Sequence, residues 1–128
     1  MGLISSLLGN AGVVELDELN SRYEQLLIPD EKILIGFKVI RDTFVFTNLR
    51  LIFIDVLGFS GHRVEYKSVD YGDISRFSVE SAGDLDLEAD LKIWVGSEMK
   101  PSIVKKFDKD VNIYEVQKVL ASQVLRKG

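Results

Sequence analysis

The chain contains no cysteine. That removes disulfides, thiolate nucleophiles and cysteine-bound zinc together, and it fits a reducing compartment, so the cytoplasm is the expected location. There is a single histidine, His62. It sits beside Gly61 in a glycine-rich stretch with no patterned serine nearby, and reads as a solvated loop residue rather than a general base. The two prolines, Pro29 and Pro101, both fall at breaks between elements. Long apolar runs are missing: the N-terminal stretch of residues 3–8 is interrupted by serines and is far shorter than a membrane span. An excess of basic charge is missing too. With 16 Lys and Arg against 20 Asp and Glu the net charge is −4, which gives nucleic-acid binding no global electrostatic support.

What is present is one domain's worth of core. A chain of 128 residues with 46% hydrophobic content can bury one core and is too short for two. The organisation expected is an N-terminal segment and helix over residues 1–30, followed by a β-rich body over 31–128, one domain overall. Leu16, Leu19, Tyr23 and Leu26 recur at helical spacing, with Glu15, Asp17 and Glu18 in the first turn, and predict an amphipathic helix over residues 14–27. The hexapeptide MGLISS fits the short pattern for N-myristoylation at Gly2, but such matches arise easily by chance; docking of this apolar segment is the preferred reading.

From Glu31 the hydrophobic period changes to two. Ile33, Ile35, Phe37 and Val39 share one parity, and Arg41-Asp42 makes a tight connection into residues 43–47. Thr47-Asn48 turns the chain into residues 50–56, and a glycine-rich turn leads to residues 63–69. After DYGD comes a strand from Ile74, then the strictly alternating LDLEADLKIWV over residues 85–95, then a strand over 102–107. The period returns to 3.6 after Asn112, which with Glu115 has the form of a capping box opening a C-terminal helix. Seven short strands closed by one helix predict a mainly β fold, a small, partly open barrel.

Catalytic chemistry finds few parts here. Asp84, Asp86, Glu88 and Asp90 echo an alternating calcium loop, but Ala89 stands where that loop needs glycine, and the run alternates as a strand. No metal, cofactor or enzymatic activity is expected. The alternation instead gives one strand an acidic outer face, tolerable when solvated or answered by neighbouring cations; Arg63, Lys67, Arg76, Lys105 and Lys106 are the candidates. Trp94 shares the polar parity. An outward tryptophan beside a charged strip suggests a contact surface, so Asp86, Glu88, Asp90, Lys92 and Trp94, with Arg63, Lys67 and Arg76 as complementary charges across a neighbouring edge, form the candidate interaction surface.

The stretch Phe46-Thr47-Asn48-Leu49-Arg50-Leu51-Ile52 resembles the signature of bacterial pleckstrin-homology (PH-like) domains. The runs KILIGFKVIRDTFVFTN, GHRVEYKSVDYGDISRFSVE and DLEADLKIWVG extend the resemblance to the single-domain branch of that family, over roughly residue 31 to the C-terminus. It implies two nearly orthogonal antiparallel sheets, one end closed by the C-terminal helix. It also implies a cyclic homo-oligomer, a pentamer being one candidate, assembled through strand edges, with a polar surface between protomers that binds an unidentified protein. Read from the residues alone, Thr47, Asn48, Arg50 and Leu51 have a structural use: Thr and Asn hold a turn, and the arginine ties loop carbonyls or a carboxylate. Phosphoinositide binding is not expected, because the Arg41-Asp42 turn is short and carries its own acid. The alternative function is a membrane-associated adaptor, in which Leu3, Ile4, Leu7 and Leu8 make weak lipid contacts multiplied by a ring.

Overall fold

A computed structural model of the chain describes residues 2–81, 88–107 and 109–125. Near the N-terminus lie two helices, α1 (Leu3–Leu7) and α2 (Leu16–Tyr23), the second running into a single 3-10 turn at Glu24–Leu26. Seven strands follow: β1 (Ile33–Lys38), β2 (Thr43–Thr47), β3 (Arg50–Leu57), β4 (Arg63–Asp70), β5 (Ile74–Ser81), β6 (Ala89–Val95) and β7 (Ile103–Phe107). Helix α3 (Ile113–Val124) ends the described chain. The strands form two antiparallel sheets, one ordered β1-β2-β3-β4 and the other β5-β6-β7. The mainly β class and the order of one helix, seven strands and a closing helix from α2 to α3 are those expected from the hydrophobic periods, whereas α1 was not expected.

The main core lies between the sheets and under α3. Phe44 is its centre, with edge-to-face contacts to Phe46, Phe53 and Phe107 at ring separations of 5.5, 4.5 and 5.6 Å. Val116, Val119 and Leu120 of α3 are fully buried against it. Asn112 caps α3, accepting a hydrogen bond from the Tyr114 N–H at 3.0 Å. A second apolar cluster occupies the opposite face of the four-stranded sheet: Leu19 and Tyr23 of α2 cover Ile33, Val45, Ile52 and Ile54. The near-continuous apolar runs of β2 and β3 follow from this arrangement, since both faces of those strands are covered. α2 lies flat on β1 because Gly36 has no side chain; a Cβ there would stand 2.7 Å from a Leu19 methyl.

Two findings differ from the periodicity. The predicted 14–27 helix is shorter, its last turn tightening to 3-10 before the chain turns at Ile28 and Pro29. In β1, Ile33 does not share a face with Ile35. A bulge pairs Ile33 with Thr47 but Ile35 with Phe46, which sends Ile33 into the α2 cluster while Ile35 and Phe37 enter the main core.

The N-terminal segment packs on its own chain. Leu7 is part of the main core, and Leu3 and Ile4 pack against it. Residues 12–14 run along the outer side of β1, where the Lys38 N–H donates to the Gly12 carbonyl and the Val14 N–H to that of Gly36. The exposed edge of β1 is therefore covered.

Candidate interaction surface

The hairpin joining β2 to β3 is built around a buried carboxylate, Glu31, whose side chain has no exposed surface. Arg50 grips it bidentately, Nε donating to Oε2 at 2.8 Å and Nη2 to Oε1 at 3.0 Å. The Thr47 hydroxyl donates to Oε2 at 2.7 Å and accepts from the N–H groups of Leu49 and Arg50, closing the turn. The Ile28 N–H donates to Oε1 at 3.1 Å, and Arg50 Nη2 also reaches the Leu26 carbonyl at 2.7 Å. Asn48 completes the junction, accepting from the Lys32 N–H at 2.7 Å and donating to the Asp30 carbonyl. The hydrogen bonds from Arg50, with help from Thr47 and Ile28, hold the Glu31 carboxyl below the ordinary carboxylate value against the opposing effect of burial. Leu51 is fully buried in the main core. On the far side the Tyr71 hydroxyl donates to the Thr47 carbonyl at 2.7 Å, and burial pushes the Tyr71 pKa upward. The group is a structural junction between the chain leaving α2 and the first sheet. Glu31 carries it and was absent from the candidate residues of the sequence; lying ahead of the first alternating run, it has no parity to betray its burial.

The outward face of the second sheet holds the rest of the candidate strip except Asp86, which lies outside the described residues. Asp90 stands opposite Lys106 in the register of β6 and β7, and Lys106 Nζ donates to it at 3.0 Å, with Glu88 at 3.9 Å. The hydrogen bond from Asp90 pushes the Lys106 ammonium upward. Lys92 pairs with Glu80 of β5 at 3.3 Å. Lys105, one residue from Lys106, has the opposite parity. It turns inward beside the Phe53 ring and bridges Asp55 at 2.6 Å and Asp42 at 3.6 Å, joining the two sheets. Arg76 does not answer the acids: its guanidinium lies 4.5 Å from the centre of the Trp94 ring. Trp94 is half-buried, and its indole N–H donates to the Met99 carbonyl at 3.2 Å.

Arg63 and Lys67 lie elsewhere, on β4 of the first sheet, and take part in no ion pair among the described residues. The structure thus brings Glu88, Asp90, Lys92, Trp94 and Arg76 onto one surface and leaves Arg63 and Lys67 apart from it. Residues 63–68 are exposed throughout, and among the described residues only β3 lies beside them in the sheet. Arg41 is engaged with the neighbouring turn, donating to the Gly58 carbonyl at 2.6 Å. Among the described residues no cluster of three or more His, Cys, Asp or Glu could hold a metal, and no helix is long and apolar enough to cross a membrane.

A family model described as the bacterial PH domain matches residues 2–124. The chain belongs to the bacterial PH domain family. The match takes in the N-terminal segment as well as the two sheets and α3. This bacterial PH domain is 44% identical over 122 residues to the uncharacterized protein YjqA of Bacillus subtilis, covering 95% of this chain and 98% of that one. It is 32% identical to the uncharacterized protein YozO of the same organism, covering 80% and 87%. Among solved structures, the pleckstrin-homology domain from Shewanella amazonensis matches with a TM-score of 0.82 at 37% identity, covering 98% of this chain and all of that one. A DUF1696-family protein with a pleckstrin-homology domain from Shewanella loihica gives 0.77 at 41% identity, covering 91% and 98%.

Proposed function

We propose that this bacterial PH domain is a non-enzymatic cytoplasmic interaction module that assembles into a closed cyclic homo-oligomer through strand edges and binds another protein at polar surface lying between or beside the joined protomers. The observation that carries this reading is β4, an eight-residue strand that among the described residues is bonded on one side only, with residues 63–68 exposed and two cations outside any ion pair. Such an edge is a ready template for a further strand. The outward face of β6, with its ordered Lys106–Asp90 and Lys92–Glu80 pairs beside Trp94, is the polar surface offered to the partner. Charge there sets partner choice and encounter rate more than affinity.

The membrane-adaptor alternative is less well supported. Of its four apolar residues, Leu7 is buried in the core, Leu3 and Ile4 pack against it, and Leu8 alone is exposed, to 40%. Sedimentation velocity of the wild type and of the Arg63→Glu/Lys67→Glu double variant tests the assembly. Reversing both free cations should shift the distribution to smaller species with the fold intact. A wild type that sediments as a monomer at every concentration overturns the reading, and flotation with anionic vesicles would then point to the alternative.

A further inference from the structure

We infer that Arg76, stacked on Trp94, is the docking point for a single carboxylate of the partner protein, carried on a short segment in which an acidic residue lies among apolar ones. The inference rests on the reading of the β6 face as the partner's surface and names what the partner presents to it.

A bulge brings the two side chains together. The pairing of β5 with β6 slips by one residue between Ile74, opposite Val95, and Arg76, opposite Trp94. Without the extra residue, Ser75, Arg76 would stand opposite fully buried Ile93 and point into the core. With it, Arg76 turns outward in the same row as Trp94, and its guanidinium lies 4.5 Å from the ring centre. Two bonds fix the tryptophan beneath it. Its indole N–H donates to the Met99 carbonyl at 3.2 Å, and its backbone carbonyl accepts from the Ser75 hydroxyl at 3.2 Å.

Arg76 is the odd member among the charges of this face. Among the described residues, Lys92 is answered by Glu80 and Lys106 by Asp90 and Glu88, whereas Arg76 meets no carboxylate and no hydrogen-bond acceptor. Stacking uses the plane of a guanidinium and leaves its in-plane N–H donors, the fork that matches a carboxylate, for another group. Apolar surface lies close by: Met99 is 89% exposed, and Val104, opposite Lys92 on the same face, is 53% exposed. One carboxylate balances the one unanswered cation. A phosphate group, with a charge of about −1.5 to −2, or an anionic membrane would also meet Glu80, Glu88 and Asp90 on that face, which repel it.

Trp94 is the only tryptophan in the chain, so its emission reports on this site alone. The test selects a random heptapeptide display library on the purified protein, then synthesises the most enriched peptide beside a twin with Gln or Asn in place of each Glu or Asp. The selected peptides should carry an acidic residue with apolar neighbours and should change Trp94 emission on binding. The amide twin should bind the wild type at least about ten-fold more weakly, because a charge-assisted bond is lost. Arg76→Gln should weaken the acidic peptide by a similar factor and leave the twin unaffected, while Arg76→Lys, which keeps the charge without the fork, should restore part of the loss. Enrichment of peptides without acids, or equal binding of the acidic peptide to wild type and Arg76→Gln, overturns the inference; Trp94 emission that still responds to those peptides keeps the face as the partner's surface. A library that yields no binder overturns it as well, and sedimentation remains the separate test of assembly.

Discussion

Glu31 is the residue on which the first sheet's hairpin depends, because four hydrogen bonds, two from Arg50 and one each from Thr47 and Ile28, converge on a carboxylate that water does not reach. Breaking a buried pair from one side strands the other charge, so Glu31→Gln should cost about 3 kcal/mol in urea unfolding. A variant within about 0.5 kcal/mol of wild type would show that the junction contributes little. Its pH dependence has a fixed sign. The folded carboxyl titrates below its ordinary value of 4.5. Between those two values the unfolded chain holds the extra proton, so the contribution is fully present above about pH 4.5 and is lost as pH falls through the folded value. Unfolding midpoints should therefore fall in acid for the wild type, and fall less steeply for Glu31→Gln. Thr47, Asn48 and Arg50 were legible in the sequence as turn residues with an arginine ready to bind a carboxylate. The carboxylate itself was not, because a lone acid ahead of the first strand looks like any solvated charge until the fold closes over it.

At the scale of elements, period and punctuation located seven strands and the capped C-terminal helix, since each strand alternates or is bounded by a turn. They did not reveal that α2 covers the outer face of the first sheet. The clue was present in Phe44-Val45-Phe46 and Leu51-Ile52-Phe53-Ile54, apolar on both parities, which is the pattern of a strand buried on both faces. Nor could parity foresee the β1 bulge, a single inserted residue that changes which face Ile33 occupies. The same limit applies to Lys105 and Lys106, adjacent cations that the register sends to opposite faces, one joining the sheets and the other answering Asp90. The α2–β1 contact carries its own prediction. Gly36→Ala places a methyl against fully buried Leu19 and should destabilise by about 2 kcal/mol through overpacking. Leu19→Ala, which opens space, should relieve part of that cost in the double variant; strictly additive losses in a double-mutant cycle would contradict the contact.

For the whole molecule, the question is how a small domain with a packed core uses the uncovered edge of its first sheet. β1 is covered by residues 12–14, whereas β4 has exposed side chains on both faces and, among the described residues, no strand beyond it. An edge of this kind either carries a device against pairing or has a partner. The charges on β4 alternate in sign and do not form the single-sign barrier that would keep another strand away. The β6 strip differs in that its described acids, Glu88 and Asp90, are answered by Lys106 within the protomer. Trp94→Ala should lower partner capture while leaving oligomer mass unchanged if the strip serves the partner; loss of assembly in that variant would move the strip to the subunit boundary. Native mass spectrometry of the purified chain at low and high ionic strength tests self-assembly most directly, because screening weakens exposed charge pairs and leaves apolar and backbone contacts in place. The account predicts one discrete closed oligomer, a whole-number multiple of 14.4 kDa, with a growing fraction of smaller species as salt rises. A monomer at both ionic strengths would contradict it.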